Sequence, residues 1–279
     1  LVRAGFKRME FGSFVSPRAI PQMRDMDDVA IALKPAPGVD RMVLVPNTKG
    51  ARRAIAAGFS SLELVISMSD AHNMSNVRRV TADSIADLKV LLEEIDPTHE
   101  LKLRIGMATS FHCPFDGIMD ETKVLGILES LVALREGMEF AISDTTGMAL
   151  PEHVKSLCGQ AIRSFGGQAR FAFHGHDTSG FGIANVLAAT EAGIRTIDSS
   201  IAGLGGCPYA PGASGNVASE DVVYLFKRMG VETGIDLDLL LDAGDIGAAL
   251  PGAVTGSHIR AMPRDRLFGT APLEVAVGS

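Results

Sequence analysis

Short apolar runs alternating with amphipathic stretches along most of the chain limit its fold more than any other feature. Strand-like segments at 8–12, 41–45, 61–66, 101–107, 139–143, 170–174 and 196–199 alternate with helix-like ones. The helices fall at 25–34, 49–57, 81–95, 121–136, 151–165, 182–192 and 219–229, with a weaker one over 237–249. Such alternation predicts βαβ units around a parallel sheet. The punctuation agrees. Thr48 can cap the helix over 49–57, Pro151 stands at a first helical position, and Gly58 and Gly193 where helices close.

Polar, glycine-rich and titratable residues gather after the strand C-termini each time. That asymmetry predicts an α/β fold of the (β/α)8 TIM-barrel type, whose site lies at the C-terminal face of the strands. A doubly wound sheet is the rival, but no G-x-G-x-x-G follows a strand here. Eight strands close a barrel, and the pattern supplies seven. The opening Leu1-Val-Arg-Ala-Gly-Phe6 reads as a helix end closed by Gly5. The expectation is therefore a single TIM-barrel domain over 1–279, its first strand missing upstream of Leu1. A gap should then separate the strands at 8–12 and 196–199, and 67–76 should be a long polar loop.

The net charge of −7 comes without long runs of like charge, which argues against nucleic acid and anionic membrane surfaces as partners. No apolar run approaches the 18 residues of a membrane span. Three cysteines cannot all pair within one chain, and two of them share the dipeptide Cys-Pro, so reduced thiols and a cytoplasmic location are expected.

The richest candidate site is Phe171-Ala-Phe-His-Gly-His-Asp177. On a strand, Phe171 and Phe173 point one way, while Ala172, His174 and His176 point the other. A His-x-His pair at a strand end can hold a divalent metal from two corners, although two polar residues in an ordinary loop would read the same way. Asn216, on the loop after the last strand, could add an amide oxygen. Glu10, facing away from Met9 and Phe11, or Asp144 could supply a carboxylate in the first or second shell. This N/O set suits Mg²⁺ or Mn²⁺ at least as well as Zn²⁺. Cys207 lies between Gly206 and Pro208 in a glycine-dense loop, where it is either a functional thiol or a small loop residue. Cys113 carries the same two readings, and Cys158, on a helix, reads as core. His99, His153 and His258 read as solvated; His72 and His112 lie on the site face.

Five segments in order carry a resemblance. They are Glu10-Phe-Gly-Ser-Phe-Val-Ser-Pro-Arg-Ala-Ile-Pro21, Cys113-Pro-Phe-Asp-Gly117, Ser143-Asp-Thr-Thr-Gly147, His174-Gly-His-Asp-Thr178 and Gly203-Leu-Gly-Gly-Cys-Pro-Tyr-Ala-Pro-Gly-Ala-Ser-Gly-Asn216. Together they resemble the 3-hydroxy-3-methylglutaryl-CoA lyase family, the metal-dependent TIM-barrel lyases. The resemblance implies retro-Claisen cleavage of 3-hydroxy-3-methylglutaryl-CoA, or a closely related 3-hydroxyacyl-CoA, to acetyl-CoA and acetoacetate with a divalent cation. It matches His174, His176 and Asn216 to the metal positions, Cys207 to the catalytic cysteine, and Glu10 and Asp144 to carboxylates that support the site. The family's first strand ends in Arg-Asp, a pair this sequence does not carry in front of residue 8. The expected partners are an acyl-CoA and further copies of the chain in a dimer or larger homo-oligomer. A condensing enzyme of the same superfamily, or an inactive paralogue serving as a binding subunit, are the alternatives.

Overall fold

The computed structural model describes residues 1–18, 20–33, 35–206 and 215–269. Seven parallel strands form its main sheet: β1 (Arg8–Ser13), β2 (Asp40–Leu44), β3 (Ser61–Ser67), β4 (Lys102–Ala108), β7 (Glu139–Asp144), β8 (Arg170–Gly175) and β9 (Thr196–Asp198), hydrogen-bonded in that order. A two-stranded antiparallel hairpin, β5 (His112–Cys113) with β6 (Gly117–Ile118), stands on the loop after β4. The principal helices are α1 (Met26–Ala32), α2 (Thr48–Ala56), α3 (Asp70–Val77), α4 (Thr81–Glu94), α5 (Glu121–Val132), α6 (Pro151–Phe165), α7 (Gly182–Glu191), α8 (Ser219–Arg228), α9 (Leu237–Ala248) and the short α10 (Arg264–Leu267).

Alternation explains which side chains go where. Leu62, Leu64 and Ile66 of β3, Leu103, Ile105 and Met107 of β4, and Phe140 and Ile142 of β7 enter one buried core with α4, α5 and α6. Phe171 and Phe173 of β8 join them, and Phe11 of β1 packs against the same core. The opposite face of these strands carries Glu63 and Val65, Arg104 and Gly106, Ser143, and His174, which line the interior. Burying a large apolar side chain contributes on the order of 1.5–3 kcal/mol, so this outward face fixes the strand register and forces the polar set inward.

The sheet is curled. Arg8 of β1 donates to Glu139 of β7 at 2.5 Å, and Arg104 of β4 reaches Asp198 of β9. Side chains from separated strands meet only across a barrel-like interior. Among the described residues no hydrogen bond joins β1 to β9, so a seam lies between these two strands, where the alternation pattern expected a gap. Alternation puts Met9 on the same face as Phe11, yet it lines a cavity at this seam with Leu1 and Phe6, while Phe11 packs on the helix-side core.

Residues 67–76 are not a loop throughout, since α3 covers Asp70–Val77. Ser69 accepts the His72 N–H as its N-cap, and Arg78 closes the helix in the left-handed region, at φ 59°. The helix buries polar His72 and Asn73, so it has no apolar stripe from which to be read.

Candidate active site

The site is built at the C-terminal ends of the strands. There β8 delivers His174 into the interior, and the chain beyond it carries His176. Asp177 N–H donates to the Gly215 carbonyl at 2.9 Å, and Val217 N–H to the Gly175 carbonyl at 3.0 Å. These two bonds fasten 215–217 beside the histidine strand and make Asn216 the bridge partner of His176. Gly205, at φ +103°, lets the preceding loop approach closely, because a Cβ there would sit 2.5 Å from Asn216 Nδ2. The structure thus brings His174, His176 and Asn216 to one corner of the barrel mouth.

Two cavities meet there. One, of about 440 Å³, is lined by Met9, Glu10, Arg104, His174, Asp198 and Asn216. The other, of about 260 Å³, is lined by Glu10, Glu63, His72, Ser143, His174 and His176 among others. Glu10 and His174 border both. A larger cavity of about 630 Å³ opens at the opposite ends of the strands, around Lys7, Arg170 and Arg195. It is remote from the histidines and belongs to the seam.

Beneath the mouth lies a buried charge cluster. Arg104, 3% exposed, stands 3.4 Å from Glu63 and 3.2 Å from Glu139, and also donates to Asp198. Burial lifts the Glu63 carboxyl to about 8; Arg104 opposes that rise, and the negative Glu10 and Asp198 add to it. Glu10 is likewise raised, first by its enclosure and then by Asp198, against the opposing pull of Arg104 and a hydrogen bond with Glu63. Asp198 goes the other way. Burial would raise it, but Arg104 and His174 together hold it down at about 2.

The two histidines differ. Burial works against the charged form of His174, but the Asp198 carboxylate at 3.2 Å from Nδ1 outweighs it, and the ring is raised above its ordinary range. His176 is depressed to about 4 by burial first and by His174 second, so it is neutral at pH 7. Its buried Nδ1 has no hydrogen-bond partner among the described residues.

This donor set fits a divalent cation. It offers a neutral imidazole with an unused ring nitrogen, a second imidazole tied at Nδ1 with Nε2 left over, and an amide. Asn216 donates through Nδ2 to the Leu204 carbonyl at 2.8 Å, which leaves its Oδ1 available. Two nitrogens and an oxygen are a hard-to-borderline set, with water or substrate oxygens to complete it. Among the described residues no group of three or more His, Cys, Asp or Glu is arranged to hold a metal.

Asp144 lies beside this corner but is turned to its own loop. Its two oxygens accept the Met148 and Ala149 N–H groups at 3.1 and 3.2 Å, and burial raises it to about 6 against those bonds. Cys207 falls outside the described residues. Cys113 is buried in the hairpin and donates to Ser69 Oγ at 3.1 Å, while burial, and then Glu121, push the Cys158 thiol up to about 12. Neither has the exposed, electropositive surroundings of a reactive thiol. His72 is buried against Ser67 Oγ at 2.7 Å and lines the smaller cavity; His112 contacts Thr146 at 3.2 Å.

Asp198, Arg104 and Glu63 had no counterpart among the residues singled out from sequence. A carboxylate or guanidinium on the non-apolar face of a strand was the available signal.

The chain is similar to known proteins. Residues 1–246 match the family model described as HMGL-like. The chain is 39% identical to a (R)-citramalyl-CoA lyase of Chloroflexus aurantiacus, over 91% of this chain and 84% of that protein. It is 37% identical to a 3-hydroxy-3-isohexenylglutaryl-CoA/hydroxy-methylglutaryl-CoA lyase of Pseudomonas aeruginosa, over 92% and 85%. Among solved structures, an HMG-CoA lyase of Acenitobacter baumannii in complex with coenzyme A and 3-methylmalate superposes with a TM-score of 0.85 at 37% identity, covering 100% of this chain and 87% of that one.

Proposed function

Since this chain belongs to the HMGL-like family of lyases, we propose that it cleaves 3-hydroxy-3-methylglutaryl-CoA to acetyl-CoA and acetoacetate, or a closely related 3-hydroxyacyl-CoA to acetyl-CoA and the corresponding carbonyl compound, with the help of a divalent cation. The observation that carries the reading is the convergence of His174, His176 and Asn216 on the two cavities at the strand ends.

In this reading His174, His176 and Asn216 hold the ion, Mg²⁺ or Mn²⁺ before Zn²⁺. A bound divalent cation supplies Lewis acidity to the substrate's hydroxyl and carbonyl oxygens. The 3-hydroxyl gives up its proton, the C2–C3 bond breaks, C3 becomes the ketone of acetoacetate, and the electron pair passes to the thioester enolate. Glu10, raised in pKa and open to solvent on one side, is suited to carry the hydroxyl proton away. The enolate needs a proton to become acetyl-CoA. Cys207, matched to the family's catalytic cysteine on the glycine-rich loop, gives it. Asp144 supports the site by keeping the 145–149 turn closed. Buried Arg104 keeps the floor carboxylates from crowding an anionic substrate with uncompensated charge.

The acyl group is the open variable within this reading. The relatives named above act on acyl groups that differ around C3. The test is a cleavage assay on the natural full-length polypeptide with Mg²⁺ or Mn²⁺. Its panel holds 3-hydroxy-3-methylglutaryl-CoA, the 3-isohexenyl analogue and (R)-citramalyl-CoA. Acetyl-CoA should appear from the first at the highest kcat/KM. A clear preference for citramalyl-CoA, with pyruvate as coproduct, would reassign the substrate. Cleavage of none would remove the lyase reading.

A further inference from the structure

Asp198 is placed by sheet register. β8 and β9 run parallel with His174 directly opposite Asp198, so both side chains leave the same face of adjacent strands. The carboxylate Oδ2 then accepts from His174 Nδ1 at 3.2 Å and from the Arg104 guanidinium. Arginine has donors only, so Arg104 cannot offer His174 Nδ1 an acceptor or take its proton. Glu63 and Glu139 occupy other edges of the same guanidinium, which prevents Arg104 from turning away. Asp198 is thereby anchored as an acceptor aimed at Nδ1, and Asp198 is the residue whose hydrogen bond to the ring the structure records. A neutral imidazole that keeps its proton on Nδ1 has its lone pair on Nε2.

We propose that Asp198, pinned by Arg104, is a positioning residue that holds His174 as its Nδ1–H tautomer and so presents the Nε2 lone pair to a divalent cation in the cavity. The cation in that statement rests on the proposed function; the tautomer does not. A carboxylate behind a metal-binding histidine fixes ring orientation and raises its basicity, and losing one typically lowers metal affinity about 10–100-fold. The competing explanation is that Asp198 serves only as a structural counter-ion for Arg104. A counter-ion would change stability and leave the tautomer alone.

The test compares the full-length protein with Asp198→Asn and Asp198→Ala, stripped of metal, at a pH where the ring is neutral. Long-range ¹H–¹⁵N imidazole spectra, with His174 assigned through its loss in His174→Gln, read which nitrogen carries the proton. Calorimetric titration with Mn²⁺ in the absence of substrate reads affinity. The parent should show Nδ1–H. Asp198→Asn, which keeps an acceptor oxygen, should retain it. Asp198→Ala should move the proton wholly or partly to Nε2 and weaken Mn²⁺ at least about 10-fold. An Nε2–H parent overturns the proposal without any variant. So does an alanine variant that keeps the parent tautomer, or one that changes tautomer while binding Mn²⁺ as tightly as the parent. If Asp198→Ala does not fold, the tautomers of the parent and Asp198→Asn decide. A parent that shows Nδ1–H but binds no Mn²⁺ supports the tautomer assignment and removes the metal-dependent function.

Discussion

Replacing Arg104 by Met keeps most of the side-chain volume but removes the cation that Glu63, Glu139 and Asp198 share. The cost can be worked from the surroundings. Glu63 is held protonated up to about 8, so the charges stranded near neutrality are Glu139 and Asp198. Glu139 keeps Arg8 at 2.5 Å; Asp198 keeps only His174. Asp198 sits at about 2 against an ordinary 3.8, which corresponds to about 2 kcal/mol of favourable interaction. Breaking a buried ion pair from one side costs about 3–5 kcal/mol, because the remaining charge is left uncompensated. We expect a loss in that range at pH 7.5, seen as a fall of about 1–2 M in the urea midpoint. In the parent, the stability due to depressed Asp198 is present above 3.8 and lost only as pH falls through about 2, so pH 5 and pH 7.5 are equivalent for that group. In the variant, burial of Asp198 is no longer opposed by Arg104, so its carboxyl rises and the folded state takes up a proton as pH falls. The deficit should therefore shrink at pH 5. A loss below about 1 kcal/mol at pH 7.5, or an equal loss at both pH values, would refute the account of the cluster.

Three other outcomes follow from the same geometry. Because the Glu63 pKa is raised from 4.5 to about 8, the parent loses stability as pH rises through that window. Glu63→Gln should match the parent at pH 5 and exceed it at pH 9 in urea melts, and a variant less stable at pH 9 would contradict the shift. Gly147 has φ +67°, and a Cβ there would lie 2.6–2.7 Å from Thr178 side-chain and backbone atoms. Gly147→Ala should cost about 1–3 kcal/mol and speed amide exchange at Met148 and Ala149, whose N–H groups Asp144 holds. Cys207→Ser should leave metal affinity intact and lower turnover about 10²-fold or more, since a serine hydroxyl is a far weaker acid than a thiol; parental turnover would free Cys207 of its assigned role.

The barrel was legible because its strands carry a strict two-residue alternation. Leu103, Ile105 and Met107 against Lys102, Arg104 and Gly106 can satisfy a buried outer face in only one register. The α3 helix was not legible, because its buried residues are His72 and Asn73 and its stability comes from a Ser69 cap and the Asp70 bond to Thr81 N–H at 2.7 Å. The β5–β6 hairpin is two residues per strand, too short for any period. In the site, His174 and His176 announce themselves by spacing, and Asn216 by its place on the glycine-rich loop after the last strand. Asp198 could not be found that way. It lies 24 residues from His174, and only the pairing of β8 with β9 makes them neighbours. Arg104 shows the same limit. Its place on the non-apolar face was readable, but not that three carboxylates from three other strands converge on it.

The central claim is that the His174–His176–Asn216 corner cleaves a 3-hydroxyacyl-CoA with a divalent cation. The most direct measurement follows acetyl-CoA and acetoacetate released from 3-hydroxy-3-methylglutaryl-CoA by chelator-treated full-length protein as Mg²⁺ or Mn²⁺ is returned, in the parent and in His176→Ala. The account predicts no cleavage before metal, equimolar products after it, and no recovery in a His176→Ala protein that still unfolds cooperatively. Cleavage at an undiminished rate in chelator, or in His176→Ala, would contradict it.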